Sequence, residues 1–399
     1  MSLIRRIARR AEVEWTRYSE GRRLAPLYAP DSRNLDLDAH LSAALEWLKR
    51  AQDAGDDRGV SYGVRFGSDF DVSYPETTGY ICQTFVETWE RTGDAEYLAR
   101  AIDMGRWEAD VQMAEGAVMG GKLNQNPTPA VFNTGMVLLG WSALGRATSD
   151  EEFRTAATRA CEWLVRMQEP DGNWIRGNSQ YALGGATTYN VKAAEGLCAA
   201  GTIFERPDWV QAALRNAEFC LTRQQDNGWF RDCCLDDPER PLLHTIAYTA
   251  QGLLEIGRLT GREDLITAAR RTADVEIELL AEDGFLPGRQ DARLRPAASW
   301  CCLTGSAQMS VIWSALYDLT GEAKYVEAAH RINRYLMARH DIRNADPRLR
   351  GGLPGSWPVW EPYGRLCILN WATKFLVDAL AARQEPMTKK ARASASASS

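Results

Sequence analysis

Few residues in this chain suit proton transfer, and the few that do fall in a pattern. Of the four histidines, His40 lies in the first helical stretch, His330 in a later one and His340 at that one's end. Only His244 opens an apolar stretch of helical periodicity, with Tyr248 four residues on and Gln251 seven. That spacing places all three on one helical face, and a histidine beside a tyrosine suits general acid–base work. The plainer expectation for His244 is a helix cap or a buried hydrogen-bond network. Glu76 and Tyr80 repeat the arrangement at an earlier helix start, with Asp69 and Asp71 close by; a carboxylate there also complements the helix dipole. Trp300, Trp357, Trp360 and Tyr363 stand in long links and offer flat faces for stacking on sugar rings. The amides of Asn133, Asn190, Gln251 and Gln308 are candidates for binding hydroxyls. The guanidinium groups of Arg65 and Arg231, among other cations of the long links, suit a carboxylate on the substrate.

The elements that must position these groups recur with a period of roughly 56 residues. Each unit opens with an amphipathic helix, as in 94–112, 151–168, 207–224, 262–281 and 322–339. A link rich in Gly, Asn and Pro follows, then a second helix dominated by small and apolar residues, as in 134–144 and 304–319. A leading helix near 37–51 completes six outer/inner pairs. Several second helices end in Thr-Gly, at Gly93, Gly261 and Gly321, the expected C-terminal stop. The expectation is all-α: an (α/α)6 toroid formed as one domain over 36–385, each unit stabilised by stacking on its neighbours. Residues 1–35 are expected to supply a basic helix and an extended arm, and 386–399 a disordered tail. Long links from outer to inner helices gather at one end of such a ring, which is the rim to inspect for chemistry.

Composition narrows the function classes. The chain of 399 residues is 45% hydrophobic and 25% charged, an ordinary globular balance, and its net charge of −6 argues against nucleic acid as partner. No apolar run approaches the ~18 residues of a membrane span. The first ten residues have no apolar core or cleavage site of a secretory signal. Arg5, Arg6, Arg9 and Arg10 could still give peripheral membrane contact, although packing on the main domain is the plainer reading. Nine cysteines without a regular framework point to reduced thiols and a cytoplasmic protein, with no cofactor implied.

Two segments, Gln168–Trp174 and Gln224–Phe230, have the form Gln-x-x-x-Gly followed by aromatics. They resemble the repeats of triterpene cyclases and related toroids, where the motif is structural; the Asp-x-Asp-Asp acid of class II cyclases is absent. The segments 73–80, 241–248 and 300–308 resemble the (α/α)6 proteins of bacterial exopolysaccharide synthesis. More distantly they are similar to glucuronyl C5-epimerases, N-acylglucosamine 2-epimerases and unsaturated glucuronyl hydrolases. The resemblance runs from about Leu37 to Ala382 and implies a saccharide substrate. On a uronate glycan, abstraction of the C5 proton would give an epimerase or a lyase, with His244, Tyr248, Glu76 and Tyr80 as the acid–base set. A hydrolase would instead draw on Glu76, Asp69, Asp71 and Glu361. Lanthipeptide cyclases are also helical toroids, and Cys301, Cys302, Cys367 and His244 are zinc-compatible ligand types, but the Cys-His pair expected there is missing. A glycan-binding scaffold without catalysis is the remaining alternative.

Overall fold

The computed structural model describes residues 19–382 apart from 22, 126, 179–184 and 186. The expected basic N-terminal helix and the tail from 386 lie outside the described residues. Twelve α-helices alternate along the described chain. The inner set is α2 (Pro75–Thr92), α4 (Val131–Thr148), α6 (Val191–Ile203), α8 (Leu243–Thr260), α10 (Leu303–Thr320) and α12 (Asn370–Ala382). The outer set is α1 (Leu37–Gln52), α3 (Ala95–Val111), α5 (Glu151–Met167), α7 (Pro207–Leu221), α9 (Glu263–Leu279) and α11 (Ala323–Met337). Successive inner helices pack side by side and α12 returns to α2, so the ring closes.

Among the outer helices, each of the first five inner helices packs mainly on the one that follows it, because the turn between them is short. Gly93, Gly261 and Gly321 end α2, α8 and α10 in the left-handed conformation, with φ of 76°, 71° and 69°. Asp94 and Asp150 then cap the next helix, accepting from the backbone N–H of Glu96 and Glu152 at 3.0 Å each. The leading helix α1 therefore has no preceding partner and packs instead on α12, from the other end of the chain.

Inner helices approach one another closely where glycines face each other. A Cβ on Gly196 would stand 2.0 Å from the Gly135 carbonyl oxygen, and one on Gly140 2.3 Å from that of Gly79. The outer ring is tied by amides. Gln168 Nε2 donates to the carbonyls of Gly172 and, on the next outer helix, Ala212, at 3.0 and 2.8 Å. Gln224 repeats the bridge to Ala268 at 2.8 Å, as expected of a structural motif. Gln112 makes a third copy, to Gly116 and Ala156, in a segment whose aromatic residue is missing.

The long links occupy one end of the ring and hold the only strands among the described residues. β1 (Gly63–Arg65) pairs antiparallel with β6 (Cys367–Leu369), joining the first link to the last. β2 (Met119–Gly120) pairs with β3 (Thr128–Pro129), and β4 (Cys301–Cys302) with β5 (Ser356–Trp357). Cys301, Cys302 and Cys367 thus stand in strands leading into α10 and α12 rather than in the helices. No three His, Cys, Asp or Glu side chains converge as metal ligands among the described residues. None of the described helices is long and apolar enough to cross a membrane.

Candidate active site

The 56-residue period sets which side chains meet on the ring axis. Glu76, Phe132 and His244 occupy equivalent positions in the first turns of α2, α4 and α8. They line a pocket of about 260 Å³ at the long-link end, with Tyr62, Tyr74, Tyr189, Tyr248, Tyr363 and Trp371 among its walls. That volume is slightly below the usual ~300–1,000 Å³ of ligand sites and suits one sugar ring better than a chain. The lining is largely aromatic. The His244 ring lies 4.3 Å from Tyr248 and 5.6 Å from Tyr363, and Phe132 meets Tyr248 edge-on at 5.0 Å. Tyr62 meets Trp371 edge-on at 4.9 Å, and Trp371 Nε1 donates to the Tyr363 hydroxyl at 2.8 Å.

Burial shifts the protonation of two groups in this pocket. His244 Nδ1 lies 2.6 Å from Gln308 Oε1. An amide oxygen only accepts, so Nδ1 carries the proton and Nε2 keeps its lone pair. Burial lowers the imidazole pKa to about 4, the Gln308 bond opposing it, so the ring is neutral at physiological pH. Glu76 accepts from the Tyr74 hydroxyl at 2.6 Å. Enclosure by the pocket walls raises its pKa to about 7, with the Tyr74 bond opposing, so a large share carries a proton near neutrality. Burial pushes the Tyr248 hydroxyl well above its ordinary range and keeps it protonated. A neutral imidazole and a carboxyl that is protonated in large share thus line one largely apolar pocket.

The ring brings together four of the residues singled out from the sequence: His244, Tyr248, Glu76 and Tyr363. Gln308 reaches the site only through His244. The others lie elsewhere. Tyr80 is one turn below Glu76, buried against Phe375 with ring centroids 5.7 Å apart, and does not line the pocket. Gln251 is two turns below His244 and faces a different cavity. Asn133 is buried and donates to the Met119 carbonyl at 3.0 Å. Asn190 donates to Asn178 at 3.0 Å. Arg65 pairs with Glu20, and the exposed Arg231 donates to the Thr222 carbonyl. Trp300 packs over Gly288 inside its link, where a Cβ on that glycine would stand 2.4 Å from the ring. Trp360 is 44% exposed and covers Gly21. Asp71 pairs with Lys122 and Asp69 with Arg348, so neither joins Glu76 in the lining.

The pocket residues missed from the sequence are mostly aromatic: Tyr62, Tyr74, Phe132, Tyr189 and Trp371. Phe132 had a signal, since it lies 56 residues after Glu76, and Tyr189 stands beside the equivalent position of the next unit.

No protein-family model matches the chain, and no curated protein is similar to it in sequence. Solved structures do match. An unsaturated glucuronyl hydrolase specific for heparin superposes with a TM-score of 0.72 at 16% identity, covering 88% of this chain and 98% of that one. The unsaturated glucuronyl hydrolase of Bacillus sp. GL1, responsible for glycosaminoglycan degradation, gives 0.69 at 17% identity, with 88% and 97% covered. The cellobiose 2-epimerase of Bacillus thermoamylovorans B4167 gives 0.70 at 13%, with 87% and 98% covered. The twelve helices, the closed ring and these superpositions agree on the architecture: the chain folds as an (α/α)6 toroid.

Proposed function

We propose that this chain is a carbohydrate-active enzyme that moves a proton at a carbon next to the carbonyl of a single sugar, an epimerase or isomerase reaction. One observation carries the reading: Glu76, with a pKa of about 7, and His244, with a pKa of about 4 and a fixed tautomer, line the same aromatic pocket. His244 Nε2 takes the proton from carbon while the bonding pair moves toward the carbonyl oxygen, which receives the Glu76 proton. The His244 imidazolium then returns a proton to carbon, which restores the neutral ring, and Glu76 recovers its proton from an enediol hydroxyl. The aromatic walls stack on the ring and keep water out, which strengthens both transfers.

The lining favours a neutral sugar over the uronate suggested by sequence resemblance. No Lys or Arg is among the described lining residues, and Arg65 and Arg231 are engaged elsewhere. Hydrolysis by a carboxylate pair is less well supported, because Glu76 is the only carboxylate among the described lining residues. The neighbouring structures include enzymes of both the epimerase and the hydrolase kind, so the reading leans on the pocket's chemistry.

The test is product analysis, by NMR, of neutral reducing mono- and disaccharides and of uronate oligosaccharides incubated with the protein. A new epimer or isomer of a neutral sugar is the expected product. New reducing ends from a cleaved glycoside, or turnover restricted to uronates, would contradict the proposal.

A further inference from the structure

Each of the two groups that trade protons with the sugar has one atom tied and one atom open. In His244, Nδ1 is tied to Gln308, while Nε2 has no hydrogen-bond partner among the described residues and is not closed off by protein. In Glu76, Oε2 is tied to the Tyr74 hydroxyl at 2.6 Å, and Oε1 is open in the same way. Glu108, buried in α3, shows the contrast, since both of its carboxyl oxygens are fully enclosed.

Local sequence makes Tyr74 a firm support. It precedes Pro75, and a residue before proline favours extended backbone; its φ and ψ are −125° and 109°. Its N–H donates to the Val60 carbonyl at 3.0 Å, and its carbonyl accepts from the Thr78 N–H and hydroxyl at 3.0 Å each. Its aromatic ring lies 5.5 Å from that of Tyr62 and meets Trp371 edge-on at 6.2 Å. The toroid does not ask for tyrosine here, since the residues before α4, α8 and α10 are Ala130, Leu242 and Cys302.

A phenol at this position has a chemical consequence. It supports a carboxylate without bringing charge, whereas Lys or Arg would hold Glu76 ionised at neutral pH. No charged side chain joins Glu76 among the described lining residues. His244 is neutral, and burial keeps Tyr189, Tyr248 and Tyr363 protonated, as it does Tyr80 one turn below. We propose that Tyr74 is the positioning residue of the acid: by donating to Oε2 it keeps the Glu76 proton on Oε1, facing the sugar, and then stabilises the carboxylate left behind. Tyr74 keeps its own proton throughout. The assignment rests on the acid role given to Glu76 above.

Tyr74→Phe tests it, because the change removes the hydroxyl and keeps the ring between Tyr62 and Trp371. The Glu76 carboxyl is titrated by carbon NMR in substrate-free protein with labelled glutamate, and the Glu76→Gln spectrum assigns its signal. The bond lowers the Glu76 pKa, so its loss should raise that pKa by about one pH unit. The value of kcat should fall about tenfold with KM nearly unchanged, and Tyr74→Phe should add no loss on top of Glu76→Gln. An unmoved titration, or an equal loss from Tyr74→Phe with and without Glu76→Gln, would overturn the assignment. The titration needs no substrate and so stands apart from the reaction. A raised pKa without isomerisation of any neutral sugar would contradict the proposed function and not the hold of Tyr74 on Glu76.

Discussion

At the scale of single residues the account turns on two proton positions. Glu76 acts protonated, so the rate falls as pH rises through about 7; His244 acts neutral, so it falls as pH drops through about 4. A bell-shaped kcat/KM profile with limbs near those values is expected, and Glu76→Gln should lower kcat by roughly 10²–10⁴ and remove the alkaline limb. Gln308 is a positioning residue. Its bond favours charged His244, so Gln308→Leu should move the acid limb lower still while reducing kcat through loss of the fixed tautomer. A profile with unmoved limbs would remove Gln308 from the account. His244, Tyr248 and Glu76 were legible in the sequence because helical periodicity fixes which face they share. Arg65, Arg231, Trp300 and Trp360 were not, because their links follow no periodicity that would tell an inward side chain from one that packs its own loop.

At the scale of elements, the repeat made twelve helices legible, and Asp94 and Asp150 mark outer starts as N-caps should. Inner helices begin earlier than their small-residue runs suggest: α4 starts at Val131 and α2 at Pro75. The strands were illegible, because two- and three-residue ladders such as Gly63–Arg65 with Cys367–Leu369 depend on links some 300 residues apart and not on local propensity. The amide bridges are stability devices remote from the pocket. Gln168→Leu, which removes the bridge between the Gly172 and Ala212 carbonyls and leaves Gly172 to the Asn216 amide, should cost about 1–3 kcal/mol in urea unfolding with kcat unchanged. Gly196→Val should be worse, since its Cβ would stand 2.0 Å from the Gly135 carbonyl oxygen and drive two inner helices apart.

At the scale of the whole molecule, the ring depends on contacts between the ends of the described chain. Asn370 at the start of α12 donates to the Ser61 carbonyl at 2.8 Å and to Thr77 Oγ1 at 2.7 Å, joining last helix, first link and first inner helix. Asn370→Leu should therefore lower global stability by about 1–3 kcal/mol. His40 and His340 meet across the same closure with their Nδ1 atoms 2.9 Å apart. His40 Nε2 donates to the Asn34 carbonyl, so His40 Nδ1 accepts from His340 and both rings are neutral. Burial, reinforced by His40, lowers the His340 pKa from 6.5 to about 3. Its contribution to stability is complete above pH 6.5 and is lost as pH falls toward 3. Urea midpoints should drop between pH 6.5 and 4.5, and less steeply in His340→Gln. Six-fold closure was legible from the period; this histidine pair was not, because one member lies in α1 and the other just past α11.

The ring's main consequence is to carry Glu76 of α2 and His244 of α8 to one pocket, and isotope exchange tests that most directly. The protein is incubated in D2O with the neutral sugars of the panel, and deuterium at the carbon beside the carbonyl is followed by proton NMR. The account predicts incorporation by the wild-type protein, lost by orders of magnitude in His244→Ala with the fold intact. Undiminished exchange in His244→Ala, or turnover by the wild-type protein with no deuterium at that carbon, would contradict it.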